Sequence, residues 1–135
     1  MCQTLDGTYY VGTGCSWFQE QWPGEGILTS TDGGVTWSLV PSSGNWSNIY
    51  ELEADPIVAD RIWIAGQHSS LGAQTYTPTG GFTAAGNMAG TNCIDVQVSV
   101  DGTVIVYGKV NTTNIQTFVS NDSGASFTNV SGSGA

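Results

Sequence analysis

The chain has 135 residues and a formal charge of −9, with 11 acidic side chains set against one lysine, Lys109, and one arginine, Arg61. So few cations argue against nucleic acid, which is bound by displacing phosphate counterions, and against anionic membrane surfaces. No apolar run approaches the roughly 18–20 residues of a membrane span, and the length suits a single domain, 1–135.

The apolar residues come in short alternating runs with no 3.6-residue stripe, so the predicted elements are strands. Cys2–Leu5 and Thr8–Gly12 come first, parted by Asp6-Gly7. A long loop, Gly14–Glu25, follows and carries Trp17, Phe18 and Trp22. Gly26–Thr31 and Thr36–Val40 then meet across a tight turn. Beyond the Gly/Ser/Asn-rich loop Pro41–Asn48 lie strands at Ile49–Asp55, Arg61–Gly66, Ala73–Thr77 and Phe82–Ala85. Beyond Gly86–Asn92 lie Cys93–Ser99, Thr103–Gly108, Ile115–Ser120 and Ser126–Val130. The strands fall into three units of four, about 1–44, 45–89 and 90–135, a period typical of blade repeats.

The last turn of the first unit is copied in the third. Ser30-Thr31-Asp32-Gly33-Gly34-Val35-Thr36-Trp37 matches Ser120-Asn121-Asp122-Ser123-Gly124-Ala125-Ser126-Phe127, giving Ser-x-Asp-x-Gly-x-(Ser/Thr)-aromatic. The middle copy is worn: in Thr77-Pro78-Thr79-Gly80-Gly81-Phe82, Thr77 stands for Ser30, Thr79 for Asp32 and Gly80-Gly81 for Gly33-Gly34. Glycine supplies the positive φ of a tight turn. The short Ser and Asp side chains accept from turn amides that would otherwise lack partners. The aromatic ring folds back over the hairpin. These ten positions, Ser30, Asp32, Gly34, Thr36, Trp37, Ser120, Asp122, Gly124, Ser126 and Phe127, therefore read as structural. Neither copy supplies the alternating oxygen ligands and closing Glu of a calcium loop, and no cysteine spacing suits zinc. No metal or cofactor is expected.

The motif resembles the Asp box of bacterial neuraminidase repeats, found in sialidase, sortilin and xyloglucanase propellers. Ala54-Asp55-Pro56 and Arg61-Ile62-Trp63-Ile64-Ala65-Gly66 are similar to the linker and second strand of such blades. The resemblance implies an all-β fold of three four-stranded antiparallel blades, part of a β-propeller or of a propeller-like assembly. Closed rings take about four to eight blades, so the expected partners are further blades of the same protein or other copies of the chain.

The resemblance leaves function open. A sialidase site implies three arginines and a Tyr-Glu pair, and Arg61 alone cannot build it. A xyloglucanase-like site needs two facing carboxylates. The candidates are Asp6, Asp60, Asp101, Glu20, Glu25, Glu51 and Glu53. Asp6, Asp60 and Asp101 recur before each second strand, which speaks for turn geometry. Glu51 and Glu53 alternate on one strand, as a solvated face also would. Trp17, Phe18 and Trp22 offer either a packing contact with another protein or a stacking surface for sugars. His68 has no accompanying residues that suggest catalysis.

Four Asn-x-Ser/Thr sequons, at Asn45, Asn111, Asn121 and Asn129, fall in predicted loops or strand ends. Cys2, Cys15 and Cys93 form an odd set in which Cys2 and Cys15 are candidates for a disulfide. Met1-Cys2 begins neither a basic nor an apolar leader, while the acidic, lysine-poor, sequon-bearing composition suggests a secreted protein. The expected function is a non-enzymatic extracellular structural or interaction module, glycosylated and self-associating. The alternative is a segment of a carbohydrate-active propeller enzyme or of a glycan-binding propeller.

Overall fold

A computed structural model describes residues 1–17, 20–68, 72–88, 92–109 and 114–132. Among the described residues the chain is all-β apart from one 3-10 turn at Ser43–Asn45. The first unit contains β1 (Cys2–Gln3), β2 (Tyr9–Gly12), β3 (Cys15–Trp17), β4 (Glu20–Trp22), β5 (Ile27–Ser30) and β6 (Ser38–Leu39). The second contains β7 (Trp46–Ala54), β8 (Ile62–His68), β9 (Gln74–Thr77) and β10 (Gly81–Ala84). The third contains β11 (Asn92–Val98), β12 (Val104–Lys109), β13 (Gln116–Ser120) and β14 (Thr128–Asn129).

Three four-stranded antiparallel sheets result, in the orders β1-β2-β5-β6, β7-β8-β9-β10 and β11-β12-β13-β14. None closes on itself among the described strands. The expected grouping into three sheets of four is therefore observed.

The register is the same in all three. Tyr9 pairs with Ser30, Ile62 with Tyr76, and Val104 with Ser120. At the far ends, the Val40, Ala85 and Val130 amides donate to the carbonyls of Ile27, Ala73 and Thr117. These anchors make Tyr10, Trp63 and Ile105 equivalent, and likewise Gly12, Ala65 and Tyr107.

The second sheet lies between the other two, because β8 buries both faces. Ile62 and Ile64 join Tyr10, Ile27 and Val40 of the first unit in one core. Trp63 and Ala65 join Val104, Val106 and Phe118 of the third unit in another. A strand apolar on both faces is stable only with layers on each side. The first strand of each later unit seals the stack: β7 runs against β1 and β2, and β11 against β7 and β8.

Local departures from expectation have physical causes. Strand β7 begins at Trp46, inside the predicted loop, because Trp46 and Ile49 are drawn into the core. The predicted aromatic loop contains the hairpin β3–β4, with Cys15 opposite Trp22. Its neck is closed by Thr13, whose amide and hydroxyl donate to the Gly26 carbonyl while the hydroxyl accepts from the Gly26 amide. In the middle unit the register places Tyr76, rather than Thr77, opposite the β8 residue equivalent to Tyr9. Phe82 then falls in the place of Trp37 and Phe127, with a turn one residue shorter and no carboxylate in it.

Candidate functional site

The two copied turns are carboxylate cages. In the first, the Ser30 hydroxyl donates to Asp32 Oδ1 at 2.8 Å and accepts from the Gly34 amide at 2.9 Å. Asp32 also accepts from the Thr36 amide at 2.9 Å and the Thr36 hydroxyl at 2.6 Å. In the third unit, Asp122 accepts from the hydroxyls of Ser120 and Ser126, both at 2.6 Å, and from the Ser126 amide at 2.9 Å, while Gly124 N–H donates to Ser120 Oγ. Gly34 and Gly124 sit at φ +89° and +87°, a region that only glycine enters readily.

Donors aimed at an exposed carboxylate favour its charged form. The Thr36 hydroxyl and amide, then the Ser30 hydroxyl, bring Asp32 down to about 2. The Ser120 and Ser126 hydroxyls do the same for Asp122, also to about 2. Asp6 and Asp101 form a second recurrent turn. Asp6 accepts from Thr4 Oγ1 at 2.6 Å and the Thr8 amide at 3.0 Å, and Asp101 accepts from Ser99 Oγ and the Thr103 amide. The Thr4 hydroxyl leads in lowering Asp6, and the Ser99 hydroxyl leads in bringing Asp101 to about 2.

A group whose folded pKa is depressed adds stability that is fully present above its unfolded value, about 3.9 for Asp. That stability is lost as pH falls through the folded value near 2. The melting temperature is therefore expected to hold steady down to about pH 5 and to fall between about pH 4 and pH 2. The double variant D32N/D122N should melt lower at pH 7 and show a shallower acid fall. Scanning calorimetry across this pH range checks both; an unchanged acid fall contradicts the cage assignment.

The middle unit replaces this turn with one centred on Asp55. The backbone bond from Asp55 N–H to the Arg61 carbonyl matches those from Thr4 to Thr8 and from Ser99 to Thr103. Asp55 therefore stands where Thr4 and Ser99 stand, and the turn is two residues longer; Asp60 lies two residues before its strand, where Asp6 and Asp101 lie three before theirs. Asp55 Oδ1 accepts from the amides of Ile57 and Val58, both at 2.8 Å, while Oδ2 accepts from Arg61 Nε and Trp63 Nε1, both at 2.7 Å. A second guanidinium nitrogen of Arg61 stands 2.6 Å from the same oxygen, and the guanidinium lies over the Trp63 ring. Burial pushes the Asp55 carboxyl up, but the donors outweigh it and hold the group below its ordinary value.

The remaining candidates are dispersed. Glu51 and Glu53 lie half-buried on β7. Burial, then the charges of Glu51 and Asp95, raises Glu53, so three carboxylates neighbour one another on β7 and β11. Glu25 lies outside this group, on the segment after β4. Trp22 is exposed; the side chains of Cys15, Trp17, Glu20 and His68, and all of Phe18, lie outside the described residues. Cys2 and Cys93 carry free thiols, and burial pushes them up to about 11 and about 12. The proposed partner of Cys2 is thus a side chain that is not described. Asn45, Asn121 and Asn129 are exposed, whereas Asn111 lies outside the described residues.

Contacts between units went unread in the sequence. Asn87, after β10, grips the third unit through both ends of its amide: Nδ2 donates to the Phe127 carbonyl at 3.2 Å and Oδ1 accepts from the Phe127 amide at 2.8 Å. Gly124 sits directly on the Trp63 ring. Ser120, Gly124 and Phe127 are the buried members of a turn whose other residues are exposed.

No protein-family model matches the chain, and no curated protein matches it.

Proposed function

We propose that this chain is a non-enzymatic structural and interaction module built from Asp-box blades, secreted and glycosylated, whose end sheets associate with further protein. The observation that carries this reading is the equivalence of the three sheets. The middle sheet buries both apolar faces of β8, whereas the first and third sheets repeat the same apolar positions with one face turned outward. Ile105 and Tyr107 are 42% and 44% exposed, where their equivalents Trp63 and Ala65 are 1% and 0%. Leaving such surface in water costs about 25 cal/mol per Å². The cages and the Asp55 node use their carboxylates for turn structure, which supports a scaffold role.

The secretory part of the reading is tested on protein isolated from its native source. Peptide-N-glycosidase should lower its intact mass, with Asn45 and Asn129 among the occupied sites, both exposed and outside the cages. An unchanged mass contradicts this part.

A second reading draws on Glu53. A carboxyl raised by burial and by neighbouring acids has the character of a general acid in glycoside hydrolysis. Release of reducing sugar from a β-glucan, abolished in Glu53→Gln with the fold intact, would favour that alternative over the scaffold.

A further inference from the structure

We propose that the outward face of the third sheet binds the outward face of the first sheet in a second copy of this chain, in the same head-to-tail order that joins the sheets within one copy. The inference rests on the scaffold reading and names its partner.

Each internal junction has two halves. One half is the rear face of the earlier sheet: Tyr10, Gly12, Ile27 and Val40 in the first unit, and Trp63, Ala65, Ala73 and Ala85 in the second. The other half is the front face of the later sheet: Ile62, Ile64 and Tyr76 in the second unit, and Val104, Val106 and Phe118 in the third. Across each junction the aromatic of the rear face meets the closing hairpin of the next unit. Tyr10 meets Tyr76 with ring centroids 6.2 Å apart, and Tyr76 packs in turn on Phe82. Trp63 meets Gly124.

One half of each kind is left over. The third sheet presents a rear face of Ile105, Tyr107, Thr117 and Val130. Val130 is 52% exposed, although its equivalents Val40 and Ala85 are buried. The first sheet presents a front face of Tyr9, Val11 and Leu28, each half-buried, with its own cage beside it. There Trp37 is 41% exposed, while the equivalent Phe127 is 6%. These two faces are the missing halves of one further junction.

Side-chain size fits the match. Ile105 is smaller than Tyr10 or Trp63, and Trp37, which would seat on it, is larger than Phe82 or Phe127. A smaller side chain on one face set against a larger one on the other keeps the packed volume of a junction about constant. Lys109, one of the chain's two cations, continues the alternation of Ile105 and Tyr107 and is exposed. It places positive charge on the rear face of a strongly acidic molecule. Because the two faces differ, the contact is heterologous. It gives a ring where the rotation closes and a filament where it does not. Two copies would carry six sheets, within the range of about four to eight blades of closed propellers.

The test uses two variants of the full chain. I105E/Y107E spoils the rear face, and V11E/W37E spoils the front face. Circular dichroism establishes that each is folded. The wild type should be oligomeric at micromolar concentration by sedimentation velocity, and each variant alone should be monomeric. An equimolar mixture should form a dimer and stop there, because the intact rear face of one variant meets the intact front face of the other. Wild-type oligomers that both variants retain, or a mixture in which folded variants stay monomeric, would overturn the head-to-tail contact and leave self-association standing. A wild type that is monomeric at every concentration overturns the second copy as the occupant, along with the self-association on which it rests.

Discussion

Replacing Asp55 by alanine is expected to cost about 3–5 kcal/mol, the range for removing one partner of a buried ion pair. Asp55 is 1% exposed and accepts from two amides, a guanidinium and an indole. Alanine leaves Trp63 Nε1 without its acceptor inside a core and strips Arg61 of its counter-charge. Asn is a poor substitute. Its oxygen can accept from the amides of Ile57 and Val58, but its NH2 then faces two other donors, Trp63 Nε1 and Arg61 Nε. Asp55→Asn should therefore recover less than half of the loss. Asp60→Ala, outside the node, should stay within about 0.5 kcal/mol of the wild type. Urea unfolding followed by tryptophan emission gives all three values. A loss under about 1 kcal/mol for Asp55→Ala would show that the node is not what fixes Trp63.

Gly124→Ala and Gly34→Ala are expected to differ, although the two glycines occupy the same place in the same motif. Each lies at positive φ, so each alanine carries a left-handed backbone cost of about 1–2 kcal/mol. The surroundings separate them. A Cβ on Gly124 would stand 2.1 Å from Cη2 of Trp63, a ring tied in place by its bond to Asp55. A Cβ on Gly34 meets only Trp37, at 3.6 Å. Overpacking adds about 1–3 kcal/mol to the first and nothing to the second. Measuring both in the I105E/Y107E background keeps a second copy from covering Gly34. Equal losses would mean that the junction between the second and third sheets yields freely, against the packing described.

The sheets were legible because their signal is local and repeated. Short apolar runs at Tyr9–Gly12, Ile62–Ala65 and Val104–Tyr107 mark the second strand of each sheet, and the cages were readable from Gly34, Gly124 and their Ser-x-Asp lead. What failed was phase. Two extra residues between Asp55 and Arg61 lengthen the middle turn, so Asp60 falls one residue nearer its strand than Asp6 and Asp101 do, and Asp55, in the place of Thr4 and Ser99, supplies the carboxylate of that turn. One residue fewer in the middle turn placed Tyr76 where Thr77 was expected. The β3–β4 hairpin has no counterpart among the described residues of the other units, and the sequence from Trp17 to Glu20 lacks Gly, Asn and Asp, so neither repetition nor turn chemistry announced it. The Asn87 clasp joins residues 40 positions apart, and no local pattern encodes such a contact.

The repeat also argues about its own ends. A sequence that needed only two junctions would be free to carry polar residues at Ile105, Tyr107 and Val130, and again at Tyr9, Val11 and Leu28. It carries apolar residues at all six, the composition of a layer meant to be covered.

The molar mass of the native particle tests this account most directly. Light scattering on the eluted protein should give a multiple of the 14.1 kDa chain mass at micromolar concentration, falling toward the single chain on dilution. A particle of 14.1 kDa at every concentration, with the Trp37 ring still open to a soluble quencher, would contradict it.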